Sequence, residues 1–227
     1  MGVGNKLKEM VKNGNGFLTF ILWCYNHLPF NNRFKIGRNK LVIKAAFLKQ
    51  CKIEVVNGRN NKIFIDKGCR LTKCHIVIQG SNNIVTLSEF VTANNAEFYI
   101  EDNGNCIVCK RHINFAGKIH LACTEGKNIT IGEDCLFSSN IVIRTGDSHS
   151  VVDNYGNRIN FAKDVKIGNH VWVGHKVLIN KGVEISDNSI IGTGAVVTKA
   201  FTQSNVCIAG NPAKIVKDNI SWVNERI

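Results

Sequence analysis

The stretch DVKIGNHVWVGHKVLINKGVEISDNSIIGTGAVVTKA (164–200) carries an apolar residue at every sixth position. The residues of this column are Ile167, Val173, Ile179, Ile185, Ile191 and Val197. A period of six fits neither an amphipathic helix nor an alternating strand. It fits a solenoid of very short strands joined by tight corners, in which three strands complete a coil. The stretch therefore predicts two successive coils of 18 residues each.

A longer repeat of 22 residues precedes this stretch and begins at Ile36. Five copies align, namely 36–57, 58–79, 80–101, 102–123 and 124–145. The first shared column is Leu41, Ile63, Val85, Ile107 and Ile129. Another apolar column is Val55, Val77, Tyr99, Leu121 and Ile143. A polar column is Asn39, Asn61, Asn83 and Asn105, which predicts a ladder of side-chain amides at a turn. We interpret the copies as wider coils of the same solenoid, each with about four extra residues at a corner.

The charge of the chain is unevenly distributed. The 227 residues carry a formal charge of +12, and the first 60 residues hold 11 Lys or Arg against only Glu9 and Glu54. This basic end predicts an anionic partner such as a membrane surface or an acidic glycan, although a solvated, lysine-rich face fits equally well. Basic and aromatic residues do not interleave and no recognition motif is present, so we expect no nucleic-acid partner.

The nine cysteines are scattered without a disulfide framework. Several, such as Cys109 and Cys135, stand where the repeat needs a small inward residue. Cys106 and Cys109 are three residues apart and would face opposite sides of a strand, so we expect no shared metal. Free thiols indicate a reducing compartment, and the sequence therefore predicts a cytoplasmic protein.

The pattern divides the chain into five segments. They are an N-terminal cap (1–35), wide coils (36–145), a loop (146–163), narrow coils (164–208) and a C-terminal tail (209–227). The cap contains the apolar run FLTFILWCY (17–25), preceded by Lys6, Lys8 and Lys12. Nine residues are too few to span a bilayer. They predict a helix that covers the open end of the solenoid or, alternatively, an amphipathic anchor on the inner face of the membrane. At the other end, 215–227 has a helical pattern and predicts a C-terminal helix.

The loop GDSHSVVDNYGNRINFAK (146–163) breaks both periods and is polar. It should project from the scaffold, and such loops concentrate functional residues. The run SSNIVIRTGDSHSVVD (138–153) resembles the catalytic segment of hexapeptide-repeat O-acetyltransferases, which act on sugars and bacterial polysaccharides. This resemblance implies an all-β fold, the left-handed parallel β-helix, with His149 as the general base. Asp147 would orient the imidazole of His149, or it would shape the loop through an Asx turn.

Three further motifs resemble the C-terminal pattern of the same family. They are NHVWVG (169–174), GTGAVVTK (192–199) and AGNPAK (209–214). The resemblance implies a homotrimer that binds acetyl-CoA along its last coils, between neighbouring subunits. The lysines would meet the phosphates, and Trp172 would lie beside the acceptor. The implied contact residues are Trp172, Gly174, His175, Thr193, Thr198, Lys199, Lys214 and Lys217.

One departure from the family pattern concerns the acceptor site. Sugar acetyltransferases of this family carry an asparagine one coil before the histidine, but FAGKIH (115–120) has none in register. Asn114 and His120 are nearby and offset. We expect an acetyl-CoA-dependent O-acetyltransferase that acts on a surface polysaccharide or on its nucleotide- or lipid-linked precursor. The alternatives are an N-acetyltransferase of an amino-sugar nucleotide and a non-catalytic scaffold. A metal-dependent hydratase of this fold would need a histidine where Asn180 stands, so no metal is expected.

Overall fold

The structure is a computed structural model that describes residues 16–28 and 30–227. The predicted cap is therefore described only in part, and Lys6, Lys8 and Lys12 lie outside the described residues. The chain forms one helix in this part, α1 (Gly16–Asn26), followed by 24 short strands. Except for one antiparallel pair at the C-terminal end, the strands pair in parallel in three sheets. The predicted parallel β-solenoid is confirmed.

The sheets, here A, B and C, run along the three sides of the solenoid. Sheet A contains β1 (Arg33–Lys35), β4 (Lys52–Val55), β7 (His75–Ile78), β10 (Ala96–Ile100), β13 (Ile119–Cys123), β16 (Ile141–Arg144), β19 (Leu178–Ile179) and β22 (Val196–Val197). Sheet B contains β2 (Lys40–Ile43), β5 (Lys62–Ile65), β8 (Ile84–Leu87), β11 (Cys106–Cys109), β14 (Asn128–Ile131), β17 (Val165–Ile167) and β20 (Glu184–Ile185). Sheet C contains β3 (Phe47–Lys49), β6 (Arg70–Thr72), β9 (Thr92–Asn94), β12 (Asn114–Phe115), β15 (Leu136–Phe137), β18 (Trp172–Val173), β21 (Ile190–Ile191), β23 (Cys207–Gly210) and β24 (Ala213–Lys217). We name the edges of the solenoid after the sheets that meet there.

The first predicted column is confirmed as a structural column of sheet B. Leu41 pairs with Ile63, Ile63 with Val85, and the series continues to Ile129. Ile129 then pairs with Val165, which joins the wide coils to the narrow ones. Within this column, the residues from Ile63 to Val165 are buried. One inward residue per short strand, stacked on its neighbours, forms the core.

The predicted column from Val55 to Ile143 is wrong as a continuous column, because only some of its neighbouring members pair. Val77 pairs with Tyr99, but Val55 pairs with Ile78 and Leu121 pairs with Phe98. In sheet A, the paired residues are 23 apart from β4 to β7 and from β10 to β13 but 22 apart at the step that follows each, whereas sheet B keeps a spacing of 22. At each step of 23, the AB corner loses one residue to another corner of the coil. The sequence repeat counts the whole coil and does not show how residues are divided among its corners.

The extra residues of the wide coils lengthen sheets A and B. Strands β7 and β10 of sheet A have four and five residues, whereas β19 of a narrow coil has two. In sheet B, β5 has four residues and β20 has two. Both sheets extend toward the AB edge that they share. The wide coils therefore provide a broader AB edge beneath the loop 146–163.

The asparagine column forms the predicted amide ladder at the AB edge. Asn61, Asn83 and Asn105 are buried. The Oδ1 of Asn83 accepts hydrogen bonds from the backbone N–H of Asn105 at 2.8 Å and from its Nδ2 at 3.1 Å. The Nδ2 of Asn83 donates to the carbonyl oxygen of Asp102 at 2.9 Å. The ladder ends where the backbone N–H of Lys127 donates to Asn105 Oδ1 at 3.1 Å. It satisfies backbone groups that the wide turn would otherwise bury unpaired.

The inward cysteines fill small spaces in the core. Cys109 and Cys135 are buried, as predicted, whereas Cys106 is partly exposed because it faces the other side of its strand. Burial raises the pKa of the Cys135 thiol to about 12, so this thiol is protonated at neutral pH. These cysteines are structural residues of the core.

Helix α1 packs against the first coil through its inner face. Asn26 bridges to this coil, with its Nδ2 donating to the carbonyl oxygen of Ala46 at 2.8 Å and its Oδ1 accepting from Leu48 N–H at 2.9 Å. The ring of Tyr25 stacks on Phe47 with centroids 4.9 Å apart. The predicted N-terminal helix is confirmed. Within residues 16–28 and 30–227, no helix is long and apolar enough to cross a membrane.

The predicted C-terminal helix over 215–227 is wrong. Residues Ala213–Lys217 form β24, which pairs antiparallel with β23, and no helix follows. The end strand of a sheet has unpaired backbone groups, which a strand can satisfy and a helix cannot. Beyond β24, the ring of Trp222 stacks on that of His170, with the ring centroids 4.3 Å apart. The Trp222 Nε1 donates to the His170 carbonyl oxygen at 2.9 Å. These contacts fasten the tail along the coils.

Candidate active site

The loop between β16 and β17 projects from the AB edge, as the broken repeat predicts. It folds back on itself, with an antiparallel bridge between Val152 and Arg158 and a hydrogen bond from Ile159 N–H to the Val151 carbonyl oxygen at 2.9 Å. At its tip, Asp153 Oδ1 accepts hydrogen bonds from the backbone N–H groups of residues 155 and 157 at 2.8 and 2.9 Å. The loop is therefore an ordered hairpin whose turn is closed by an aspartate.

His149 and Asp147 lie in one cleft between this loop and the preceding coils. Besides these two predicted residues, the cleft is lined by side chains of the loop itself and of three successive coils at the AB edge. Among them are Tyr99, Glu101, Asp102, Thr124, Glu125, Arg144 and Arg158. His149 is exposed to solvent, so a substrate hydroxyl can reach its imidazole. The structure brings the candidate base to a concave, polar surface, which is the setting that general-base chemistry needs.

The carboxylate of Asp147 anchors the loop to the next coil. Its Oδ2 accepts from Lys181 Nζ at 2.5 Å and from Asn160 Nδ2 at 2.8 Å. The hydrogen bond from Lys181, followed by that from Asn160, holds the pKa of Asp147 below its usual value. A lowered carboxyl pKa contributes stability that is present above the unfolded pKa and is lost as the pH falls through the folded value. The anchor is therefore complete at neutral pH.

Among the described residues, no hydrogen bond joins Asp147 to the imidazole of His149. The role of Asp147 in orienting His149 thus stays a prediction. The contacts that are present tie the carboxylate to Lys181, which lies 34 residues away in sequence. In this conformation Asp147 positions the backbone of the loop.

Asn160 is a functional candidate that the sequence analysis missed. Its Nδ2 donates to the His149 carbonyl oxygen at 2.8 Å and also to Asp147, while its Oδ1 accepts from Val151 N–H at 2.7 Å. Its own carbonyl oxygen accepts from Lys181 Nζ at 2.8 Å. One side chain thus fixes the backbone at His149 from both sides. No sequence signal marks it, because an asparagine in a polar loop is unremarkable until the hairpin brings it back to His149.

We expect Asn160→Ala to lower kcat/KM for acetyl transfer by about 10- to 100-fold, because a small displacement of a catalytic group is enough to cause such a loss. Steady-state kinetics with purified protein measures it. Asn154→Ala is the matched control, since Asn154 is exposed in the same loop. Equal activities of the two variants would show that Asn160 does not position His149.

Within the described part of the chain, some charged side chains of the cleft are in ion pairs and others are not. Arg158 contacts the Glu125 carboxylate through a short hydrogen bond, which lowers the pKa of Glu125. Asp102 Oδ2 accepts from Thr124 Oγ1 at 2.8 Å. Arg144 donates from Nη2 to Ser148 Oγ at 3.3 Å, and within the described chain no carboxylate pairs with it. Arg144 is thus the cationic group of the cleft that is available to an anionic ligand.

The predicted acetyl-CoA contacts fall into separate groups. Trp172, Gly174, His175 and Thr193 lie on sheet C or at the CA edge. His175 Nδ1 and Ser139 Oγ are hydrogen-bonded at 2.8 Å, and Trp172 is 40% exposed. A Cβ at Gly174 would lie 2.8 Å from the backbone nitrogen of Thr193, so this glycine permits close stacking of two corners.

The other donor candidates lie farther along the coil and at the C-terminal end. Thr198 and Lys199 follow β22 at the AB edge, and Lys199 and Lys214 line one shallow depression. Lys217 pairs with Cys207 at the end of sheet C. His175 and Lys181 mark the CA and AB edges of one coil and are six residues apart. At about 3.3 Å per strand residue, the two edges are about 20 Å apart. One chain does not bring the CA group to the cleft at His149.

Asn114 and His120 lie near the position of the missing family asparagine. Among the described contacts, neither side chain reaches the cleft at His149 directly. His120 Nδ1 is hydrogen-bonded to Glu97 Oε2 at 2.7 Å, and its ring lies 6.3 Å from that of Tyr99, which lines the cleft. Asn114 Oδ1 accepts from Thr92 Oγ1 at 3.0 Å on sheet C. His120 therefore borders the cleft indirectly, and Asn114 lies on another face.

Known transferases share the repeat of this chain. The family model described as bacterial transferase hexapeptide (six repeats) matches residues 164–199. The chain is 35% identical over 208 residues to a polysialic acid O-acetyltransferase of Neisseria meningitidis, which covers 87% of this chain and 88% of the relative. It is 36% identical over 115 residues to the galactoside O-acetyltransferase of Escherichia coli strain K12, covering 50% and 53% of the two chains.

Two solved structures extend the similarity to three dimensions. A polysialic acid O-acetyltransferase superimposes with a TM-score of 0.80 at 30% identity, covering 86% of this chain and 92% of the other. An acetyltransferase specific for polysialic acid superimposes with a TM-score of 0.69 at 31% identity, covering 86% and 87%. Both similarities extend over most of this chain and most of the other. The chain therefore belongs to the hexapeptide-repeat acetyltransferases and is an O-acetyltransferase.

Proposed function

We propose that this enzyme transfers an acetyl group from acetyl-CoA to a hydroxyl of polysialic acid or of a closely related anionic surface polysaccharide. The observation that carries the proposal is the position of His149 on an anchored loop in an open cleft. Arg144 lines the same cleft, and its guanidinium pairs with no carboxylate of the described residues. The similarity to a polysialic acid O-acetyltransferase over 87% of the chain supports the same acceptor.

In the proposed reaction His149 accepts the proton of the acceptor hydroxyl while that oxygen attacks the thioester carbonyl carbon. The carbon–sulfur bond breaks, and the imidazolium returns the proton to the sulfur, so coenzyme A leaves as a thiol. A backbone N–H beside the thioester would stabilise the developing oxyanion. The anchors at Asn160 and Lys181 serve this step by fixing the backbone that carries His149.

Arg144 would hold the carboxylate of an acidic sugar through charge-assisted hydrogen bonds. Glu101 and Asp102 line the same cleft and would repel other carboxylates of the chain. An anionic polymer would therefore enter with one carboxylate at Arg144 and its remaining carboxylates directed away from the acidic wall. This arrangement would fix which hydroxyl faces His149.

The active enzyme would be a homotrimer, with acetyl-CoA bound between subunits. The predicted acetyl-CoA contacts are divided between the CA and AB edges, and this division supports a trimer. A complete donor site would form where the CA edge of one subunit faces the AB edge of another. The loop also exposes apolar side chains, among them Ile159 at 62% and Phe161 at 59%, which suits contact with a neighbouring subunit. Lys199 and Lys214 are the groups that fit the phosphates of the donor.

The proposed location is the cytoplasm, at the inner face of the membrane. The nine cysteines form no disulfide within the described residues, and free thiols are typical of proteins in a reducing compartment. A lipid-linked precursor of the polysaccharide would be met at this face. The cytoplasmic location also gives the enzyme access to its acetyl donor.

Release of free thiol from acetyl-CoA, measured against a panel of acceptors, tests the proposed function. We expect kcat/KM on polysialic acid to exceed that on neutral galactosides by at least about tenfold, which is the size of one charge-assisted contact. We expect the enzyme not to acetylate nucleotide-linked amino sugars. Turnover of neutral or amino sugars alone would contradict the proposed acceptor.

The double substitution Lys199→Ala with Lys214→Ala should raise KM for acetyl-CoA by about tenfold while kcat changes little, because these exposed side chains would bind phosphates remote from the reacting carbon. Lys110→Ala, an exposed lysine of a wide coil, is the control. Initial rates over a range of donor concentrations give both constants. An unchanged KM in the double variant would remove the two lysines from the donor site.

A further inference from the structure

Helix α1 carries an outer face that does not pack against the solenoid within residues 16–28 and 30–227. Its inner face, with Leu18, Leu22 and Asn26, contacts the first coil. The outer side chains Phe20, Ile21 and Trp23 are 62%, 45% and 55% exposed, and Phe30 just beyond the helix is 84% exposed. We refer to Phe20, Ile21, Trp23 and Phe30 as the aromatic patch.

An amphipathic surface helix normally turns polar side chains outward. Here GFLTFILWCYN (16–26) is apolar on both faces and contains no charged residue. Within the part of the chain that the structure describes, only the inner face is buried against the solenoid. Exposing several large apolar side chains together is unfavourable in water and is typical of an interaction surface.

The surroundings of the aromatic patch are cationic. Residues 16–53 contain seven Lys or Arg and no Asp or Glu. Two of them, Lys44 and Lys52, pair with Asp66 and Glu54. The other five have no carboxylate partner among the described residues, and they lie in the first coil, which α1 contacts. These five are Arg33, Lys35, Arg38, Lys40 and Lys49.

We propose that the aromatic patch and the basic first coil bind the surface of an anionic phospholipid bilayer. Aromatic rings enter the boundary between headgroups and acyl chains, while Lys and Arg remain at the level of the phosphates. A second copy of the chain would carry the same positive charge and would be repelled at this face. An acidic membrane complements both the apolar and the cationic component.

This inference adds a binding surface to the proposed location and does not depend on the proposed reaction. The loop cleft lies at the AB edge several coils away from α1. Binding to membranes can therefore be measured without substrate, and acetyl transfer can be measured with a soluble acceptor in the absence of lipid. Failure of membrane binding would leave the proposed reaction intact, and failure of the reaction would leave membrane binding intact.

Cosedimentation of the full-length protein with phosphatidylcholine vesicles, with and without phosphatidylglycerol, tests the proposal. We expect the wild type to sediment with the anionic vesicles only. The double substitution Phe20→Ser with Trp23→Ser should lower the partition coefficient of the protein onto anionic vesicles at least about tenfold, because two anchoring side chains are removed. Lys35→Gln with Arg38→Gln should weaken it at least about fivefold, and added salt should do the same.

Two controls keep the test decisive. Val56→Ser with Val223→Ser removes exposed apolar side chains elsewhere and should leave sedimentation unchanged. Phe20→Leu with Trp23→Leu preserves apolar area and should retain binding even if the serine variant is less stable. A wild type that stays in the supernatant with both vesicles would overturn the proposal. So would a serine variant whose oligomeric mass falls in light scattering, because the patch would then be a contact between subunits.

Discussion

His149→Ala is expected to lower kcat for acetyl transfer by about 10²- to 10⁴-fold, which is the usual contribution of a general base. Without the imidazole, the acceptor hydroxyl has to lose its proton to water while it attacks. His149 is exposed, and only its carbonyl group makes a hydrogen bond within the described chain. The truncation should therefore leave the fold intact, which circular dichroism and gel filtration can verify.

His112→Ala is the matched control for this variant. His112 is exposed and contacts Asp134 at the BC edge, away from the cleft. Both variants should bind acetyl-CoA as the wild type does, and only His149→Ala should fail to release thiol in the presence of acceptor. Turnover of His149→Ala within a few fold of the wild type would refute the assignment of the base.

The second large effect is expected at the asparagine ladder, where Asn83→Ala should lower the free energy of unfolding by about 2–4 kcal/mol. Asn83 makes two hydrogen bonds to Asn105 and one to the Asp102 carbonyl oxygen, all in a buried turn. Alanine removes these partners and leaves buried polar groups unsatisfied. Chemical denaturation monitored by circular dichroism measures the loss.

Thr86→Ala provides the comparison, because Thr86 lies on the outer side of the adjoining strand. It should change the free energy of unfolding by less than about 0.5 kcal/mol, as is usual for surface positions. If Asn83→Ala were equally mild, water would be replacing the amide and the ladder would contribute little to stability.

The fold was predictable from sequence because each coil buries apolar residues at the same positions of the repeat. The column from Leu41 to Ile129 corresponds directly to paired residues in sheet B. The six-residue period places one inward residue in each of the three sheets in turn, and residues 18 apart in it pair. The asparagine column was visible for the same reason. The predicted C-terminal helix failed because the apolar spacing of 215–227 does not reveal that an open sheet end is available for pairing. Local pattern carries no information on such a non-local partner.

The candidate site was only partly predictable. His149 stands out because it follows the break in the repeat and lies in a run that resembles a family motif. Asn160 and Lys181 become visible only when the hairpin and the next coil bring them to Asp147. The predicted donor residues show a further limit, because in the proposed trimer their two edges would meet only when subunits assemble. Such an arrangement would be a property of a complex and could not be read from the spacing of one chain.

The stacked coils also act as a spacer of fixed height. Five strand-to-strand steps separate β1, beside α1, from β16, which leads into the loop of His149. At about 4.8 Å per step, the cleft stands about 24 Å above the helix end. Duplicating one whole coil, such as 80–101, would raise the cleft by a single step without disturbing either end. The number of wide coils therefore sets the distance between the cleft and any surface that the α1 end of the solenoid contacts.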